Sequence, residues 1–222
     1  MTGIMTGYPS FNSLTGGLDI RKTYLISGNK ESGKEDFSYR LAASALGGKL
    51  AVVYITTNKS NTELLSEFAS RSLNIAQYLG VSMKIVDDYI RNVSPQATDN
   101  NYTKVLNGPL DLTGLSVALS AINSDMSKDG KTIINIFDSI SSLLLYNNPV
   151  TMFRFLQFIC GRAKMSGVTT LFLLDEQMHT SSVNETIRSL ADSIISLKLE
   201  GGKRYFTVSG IAKEVLEWAP LA

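Results

Sequence analysis

The residues with the clearest chemical meaning in this sequence are two glycines and a lysine, spaced as in a phosphate-binding loop. In the pattern G-x-x-x-x-G-K-[ST], the glycines let backbone N–H groups converge on a phosphate, and the lysine adds a positive charge. The chain follows this pattern at every position but the last, over Gly28-Asn29-Lys30-Glu31-Ser32-Gly33-Lys34-Glu35. The sequence therefore predicts an anion site, with ATP or ADP as the expected ligand.

Glu35 stands where the pattern has serine or threonine, whose neutral hydroxyl binds Mg²⁺. A carboxylate here lies close to the phosphates and repels them, and Glu31 and Asp36 add two more negative charges. Two interpretations stay open. The acids favour the N-terminus of the following helix through its dipole, by ~1 kcal/mol or less each, or the loop still binds a nucleotide with Mg²⁺ weakly held or absent.

A second group of candidates consists of acids that end apolar runs. Asp138 follows the run 132–137 and matches the second nucleotide-site motif, in which an aspartate holds Mg²⁺ directly or through water. In a metal-free site, Asp138 would instead pair with Lys34. Asp175 and Glu176 follow the run 170–174 and are candidates to sense phosphate or activate water, or simply to cap the next segment.

The elements that must position these residues alternate between β-branched apolar runs and helical patterns. This is typical of an α/β fold with a mostly parallel sheet flanked by helices. We predict strands at 25–27, 51–55, 83–86, 133–137, 170–174, 194–199 and 205–208, and helices at 34–46, 61–79, 115–126, 151–165 and 184–190. Gly201-Gly202 predicts a C-terminal antiparallel hairpin, and the polar stretch 92–114 predicts a long surface loop.

Composition narrows the class of protein. The 222 residues, 44% of them hydrophobic, are expected to form one domain over 1–222. With 21 basic against 20 acidic residues there is no global basic field, so nucleic-acid binding is unsupported. A local basic surface remains open as an alternative, with these residues as its candidates: Lys198, Lys203, Arg204 and Lys213.

Single cysteine and histidine residues and the absence of long apolar runs give further expectations. Cys160 is the only cysteine and is expected to be a small buried residue, while His179, the only histidine, is expected in a loop or on the surface. A structural zinc site is therefore not expected. No run approaches the ~20 apolar residues that span a bilayer, so we expect a cytoplasmic protein without a membrane partner.

Four segments together resemble the RecA superfamily, specifically archaeal and bacterial single-domain relatives of the circadian-clock ATPase KaiC and of RadA-like recombinases. They are Phe11–Leu18, Gly28–Lys34, Ile136–Ser139 and Arg188–Leu197. The resemblance covers nearly the whole chain. It implies a RecA-like P-loop fold, ATP bound at a subunit boundary, and assembly into rings or filaments, so that the expected partner is a second copy or a paralogous ATPase subunit.

The chain departs from this family where hydrolysis takes place. The family's catalytic acids follow the second strand, where this chain has Thr56-Thr57-Asn58-Lys59. Active relatives also carry a basic pair after the last hairpin, which reaches into the neighbouring site, whereas Lys213 stands here alone beside Glu214. Lys213 or Arg204 could still reach a neighbour's phosphates, unless both are free surface charges.

The sequence therefore predicts a degenerate KaiC-like protein, a regulatory or scaffolding subunit with weak or no ATP hydrolysis. One alternative is an active ATPase in which Glu35 binds the metal and Glu176 activates water. The other is an accessory protein of DNA recombination or repair.

Overall fold

Nine strands form a single sheet in the computed structural model, which describes residues 3–222. The strands are β1 (Thr23–Gly28), β2 (Ala51–Thr56), β3 (Met83–Asp87), β4 (Thr103–Val105), β5 (Ile133–Asp138), β6 (Thr169–Asp175), β7 (Ser193–Glu200), β8 (Lys203–Ser209) and β9 (Val215–Pro220). Their order is β4-β3-β2-β5-β6-β1-β7-β8-β9. Pairing is parallel from β4 across to β7, and antiparallel from β7 to β9.

Helices cover both faces of the sheet. They are α1 (Pro9–Thr15), α2 (Lys34–Gly47), α3 (Asn61–Ser70), α4 (Leu112–Ser127), α5 (Ile140–Tyr146), α6 (Pro149–Ser166) and α7 (Ser181–Arg188), with 3₁₀ turns at Ala76–Tyr78, Ile90–Asn92 and Glu176–Met178. One apolar core lies beneath α1, α2 and α3, and a second lies beneath α4 to α7. None of the helices found in residues 3–222 combines the length and the apolar character that crossing a membrane requires.

The predicted RecA-like α/β class is confirmed, and each of the seven predicted strands lies inside an observed one. The strands between β4 and β7 are largely buried on both faces, so their apolar runs were strong signals. The hairpin is confirmed as well, since Gly201 and Gly202 have φ of 56° and 73° in the turn between β7 and β8. Cys160 is buried in α6, as predicted.

The prediction that 92–114 is a loop throughout was wrong. It contains β4, and α4 begins at Leu112. The strand has only three residues, too few for a clear alternating pattern, and polar side chains before it fix its backbone: Asp99 accepts from the Val105 amide, and Asn100 accepts from the Thr103 amide. Asn and Asp therefore support a strand here, although they are more typical of loops.

The predicted helix 61–79 was wrong in its extent, because α3 ends at Ser70. The chain turns out of the helix at Ser72, which has φ of 57°, and residues 76–78 form only a 3₁₀ turn. The helix start agrees with the prediction and is closed by a capping box, in which Ser60 and Glu63 exchange hydrogen bonds. Apolar residues beyond α3 pack on the same core without continuing the helix.

Besides β4, three further helices and strands were absent from the prediction: α1, α5 and β9. Helices α1 and α5 have only seven residues each, too few to show a helical period. Phe11 of α1 is fully buried, with its ring centroid 5.4 Å from that of Phe37 in α2 and 4.8 Å from that of Phe206 in β8. Helix α1 therefore connects the start of α2 with the antiparallel part of the sheet.

We expect Phe11→Ala to lower the free energy of unfolding by about 3–5 kcal/mol, because it leaves a cavity between α2 and β8. Leu14→Ala on the same helix is the matched control, since Leu14 is 47% exposed and its truncation should change stability little. Urea denaturation of the two variants measures the difference. Equal losses would show that α1 is not anchored through Phe11.

Candidate functional site

The predicted phosphate-binding loop connects β1 to α2, as its motif requires. Gly33 precedes the helix with φ of 88°, a left-handed conformation that favours glycine. A Cβ atom there would lie 2.5 Å from Nε of Arg204, and a Cβ atom on Gly28 would lie 2.5 Å from the carbonyl oxygen of Leu197. Glycine is thus favoured at position 28 by the close approach of a backbone carbonyl and at position 33 by the left-handed φ, as well as by the motif.

The start of α2 offers a row of backbone donors. Within residues 3–222, the amides of 33–36 have no hydrogen-bond acceptor, and no side chain caps this helix. The loop amides of Glu31 and Ser32, by contrast, donate to Asn29. Free amides at a helix N-terminus, reinforced by the helix dipole, are what binds a phosphate group.

Lys34 is 1% exposed and is neutralised by the chain itself. Its Nζ lies 3.2 Å from Oε1 of Glu35 and 3.4 Å from Oδ2 of Asp175, and donates to the carbonyl oxygen of Asn29 at 3.0 Å. The expected pairing of Lys34 with Asp138 was wrong. Strand β6 lies between β5 and β1, so Asp175 is the acid beside the loop, in register with Gly28.

The three acids in and near the loop have different environments. Glu31 is exposed in the loop, and the Glu35 side chain is 28% exposed beside Lys34. Asp36 turns away and receives hydrogen bonds from four side chains: the Tyr8 hydroxyl at 2.6 Å, Arg40 at 3.1 Å, Arg71 at 2.8 Å and Arg204 at 3.0 Å. Of these three acids, only Glu35 pairs with Lys34, the lysine that would bind phosphate.

Arg204 is not a free surface charge, which was one of the two expectations raised for it, and its contact with a neighbouring subunit stays a prediction. Its guanidinium lies against Gly33 and is bonded to Asp36 of the same chain. Lys213, the other candidate, is exposed after the end of β8. Of the two, only Arg204 belongs to the loop region.

Asp138 ends β5 and is completely buried. Its Oδ2 accepts from the Tyr54 hydroxyl at 3.1 Å and lies 3.4 Å from Nζ of Lys59, which also donates to the Tyr39 hydroxyl at 2.6 Å. Burial alone would lower the pKa of Lys59, but the carboxylate of Asp138 raises it above its ordinary value. The lysine therefore stays charged against Asp138.

The exit of β2 is held by hydroxyl groups. The Thr57 hydroxyl donates to the carbonyl of Ser139 at 2.8 Å and accepts from its amide at 2.9 Å, and the Thr56 hydroxyl donates to the carbonyl of Lys59 at 2.7 Å. Residues 56–59 thus supply a lysine, but no carboxylate, to the carboxyl edge of the sheet.

Asp175 and Glu176 separate into two roles. Asp175 caps the turn after β6 by accepting from the Gln177 amide at 3.1 Å, and its other oxygen faces Lys34. Glu176 is ion-paired with Arg188 of α7. His179 is half-buried in the loop that follows this turn. The capping interpretation is thus confirmed for Asp175, which also belongs to the phosphate loop's charge pairs.

The sequence analysis did not single out Lys59, Tyr39 and Tyr54, nor two of the arginines around Asp36, Arg40 and Arg71. Lys59 carried a usable signal, because it follows β2 directly and parallel strands end at one edge of the sheet. The tyrosines lie within apolar patterns and looked like ordinary core residues. Their hydroxyl contacts depend on which strands and helices become neighbours.

The residues present fit a phosphate group better than they fit Mg²⁺. Free amides and Lys34 provide anion donors, whereas the hydroxyl that usually binds the metal is replaced by Glu35. Oδ2 of Asp138 faces the ammonium group of Lys59, while its Oδ1 is buried with no hydrogen-bond partner among the described residues. In the described part of the chain, no three His, Cys, Asp or Glu side chains are grouped so as to hold a metal ion.

A parallel sheet with a phosphate-type loop after β1 and an acid after β5 defines a RecA-like P-loop protein. The family model described as "ATPase: KaiC" matches residues 4–211, so the chain belongs to the KaiC ATPase family.

Solved structures with the same fold include a KaiC-like protein and a flagellar accessory protein. A KaiC-like protein from the hyperthermophilic archaeon Pyrococcus horikoshii is 20% identical, with a TM-score of 0.70 over 98% of this chain and 92% of that one. The flagellar accessory protein FlaH from Methanocaldococcus jannaschii is 19% identical, with a TM-score of 0.67 over 96% of this chain and 88% of that one. No curated protein sequence matches the chain.

We expect Asp36→Asn to lower the free energy of unfolding at neutral pH by about 1–3 kcal/mol, because charged hydrogen bonds are lost. Burial would raise the pKa of Asp36, but the bonds from Tyr8, Arg40 and Arg71 lower it overall. The folded pKa is thus below the unfolded one, so this stabilisation is complete above about pH 4 and is lost as the pH falls through the folded pKa.

Urea denaturation from neutral pH down to below about pH 4 tests the expectation. Asp125→Asn is the control, because Asp125 forms an exposed ion pair with Lys128. The wild-type advantage over Asp36→Asn should narrow on acidification. A constant difference would mean that the carboxylate charge is not its source.

We expect Glu35→Thr to tighten nucleotide binding in the presence of Mg²⁺ by ~1 kcal/mol or more, because it frees Lys34 and removes repulsion in a partly screened site. Calorimetric titration with ATP measures the change. Glu31→Thr is the matched control, since Glu31 is exposed and the ion pairs of Lys34 in the described residues are with Glu35 and Asp175. Unchanged or weaker affinity in Glu35→Thr would refute the electrostatic explanation.

Proposed function

We propose that this KaiC-family chain binds ATP or ADP at the β1–α2 loop without efficient hydrolysis and acts as a regulatory or scaffolding subunit. One observation carries the proposal: the two charged groups that metal-dependent hydrolysis would use, Lys34 and Asp138, are each paired with another charged residue of the chain. Glu35 is paired with Lys34, and Lys59 is paired with Asp138. Phosphate-binding amides are present, but the groups that act on the phosphate are engaged.

The step of ATP hydrolysis that the site supports least is the activation of the attacking water. The segment after β2 has threonines whose hydroxyls are bonded to backbone atoms, and it contains no acid. Loss of a general base costs roughly 10²- to 10⁴-fold in rate. Glu176, the residue that an active ATPase would need in its place, is engaged with Arg188.

The candidate DNA surface also has little free charge. Lys198 lies 4.6 Å from the ring centroid of Trp218 and is paired with Glu200, and Arg204 is bonded to Asp36. Lys203 and Lys213 are exposed, and two lysines provide only a weak attraction for a nucleic-acid backbone. The regulatory role is therefore the proposal that the contacts favour.

We expect phosphate release from ATP with Mg²⁺ to stay at background, because no free acid follows β2 to activate water. The assay compares the wild-type chain with Lys34→Ala, which removes the loop's ammonium. Robust release that disappears in Lys34→Ala would show a working ATPase and would refute the proposal.

We expect the chain to associate with itself or with a paralogous KaiC-like ATPase subunit, since a subunit without turnover must act through what it contacts. Size-exclusion chromatography with light scattering, at several protein concentrations and with or without ATP, gives the mass of the species. The same measurement after mixing with a purified paralogous ATPase tests whether the chain binds that ATPase subunit. A strict monomer that also ignores the ATPase would contradict this expectation.

A further inference from the structure

The Asp138 carboxylate is fully buried and is neutralised by a cation from its own chain. Nζ of Lys59 lies 3.4 Å from its Oδ2, and the Tyr54 hydroxyl donates to the same oxygen. A carboxylate removed from water needs such a partner, because leaving it uncompensated costs several kcal/mol. A positive charge is therefore already present beside the acid that, by its position, would face a metal ion.

Lys59 is held in place rather than moving freely at the surface. Thr56 pairs with Asp138 in the register of β2 and β5, and its hydroxyl bonds to the carbonyl of Lys59. The Lys59 side chain is only 20% exposed, lies 5.4 Å from the centroid of the Tyr39 ring, and donates to its hydroxyl. Backbone and side chain together fix the ammonium at the carboxyl edge of the sheet.

On the phosphate side of the site, Lys34 is paired with Asp175 and with Glu35, and the more exposed of these two acids is Glu35. Its carboxylate is paired with Lys34 but is 28% exposed, so rotation into water lets an external phosphate take its place. The free amides of 33–36 then complete the anion site. No comparable site forms for Mg²⁺, because the hydroxyl ligand expected at position 35 is replaced by a carboxylate and the ammonium group of Lys59 repels the metal ion from Asp138.

We propose that Lys59 takes the place of the divalent cation, so that the loop binds the phosphates of a nucleoside diphosphate or triphosphate in their metal-free form. This inference rests on the proposed function, in that the chain must bind a nucleotide. It adds that the ammonium groups of Lys34 and Lys59, with the loop amides, supply the positive charge that Mg²⁺ supplies elsewhere.

Calorimetric titration of the wild-type chain with ADP and with ATP, once in EDTA and once in excess Mg²⁺, is the direct test. Affinity in EDTA should equal that in Mg²⁺ within about threefold or exceed it. Binding that requires Mg²⁺ would overturn this inference and leave the proposed function intact. Binding in neither condition would overturn the proposed function itself.

A pair of variants then tests the role of Lys59. In Glu35→Thr the competitor of phosphate is removed while Lys59 remains, so affinity should rise in EDTA and in Mg²⁺ alike. In the double variant Glu35→Thr, Lys59→Met, a hydroxyl and a free Asp138 become available, and Mg²⁺ should now tighten binding by about tenfold or more. Equal affinities in the two conditions for the double variant would overturn the inference.

Lys128→Met is the control for loss of a lysine, since Lys128 is exposed and distant in the chain from the loop. It should bind nucleotide as the wild type does. Thermal melting accompanies each titration, because Lys59→Met leaves Asp138 without its cation. If the double variant does not fold, the shifts in melting temperature that nucleotide causes in the wild type are compared in EDTA and in Mg²⁺. Shifts of similar size in both support the inference, and a shift that appears only in Mg²⁺ overturns it.

Discussion

The need to neutralise charges buried at the carboxyl edge of the sheet shapes the whole site. Lys34 and Asp138 are both almost inaccessible to water, and each must have a partner of opposite charge. The chain supplies these partners from neighbouring positions: Glu35 and Asp175 for the lysine, and Lys59 for the aspartate. Folding therefore produces a site whose charges are balanced before any ligand arrives.

This balance explains how a phosphate loop keeps its backbone while changing its chemistry. Glycine positions and free amides depend on the path of the chain, and they stay as the motif requires. Metal ligation depends on single side chains, which substitution alters without disturbing the sheet. Glu35 and Lys59 change the charge at two such points, and neither residue belongs to the apolar cores on the two faces of the sheet.

Much of the fold was predictable, because buried parallel strands have continuous apolar sequences and β1 to α2 carries a recognisable loop. Short elements were not, as β4 shows: its three residues are fixed by Asp99 and Asn100, which are typical of loops. In the site, the loop residues were predictable from spacing. Their partners were not, because pairing Lys34 with Asp175 depends on β6 lying beside β1.

The contact between Arg204 and the loop has a consequence for how the protein is made. Arg204 belongs to β8, and its bond to Asp36 joins residues 168 positions apart in the sequence. In a chain growing from its N-terminus the β1–α2 loop is made first, and the guanidinium that covers Gly33 is added only after the intervening strands and helices. The loop thus reaches its final electrostatic environment only when the C-terminal strands have joined the sheet.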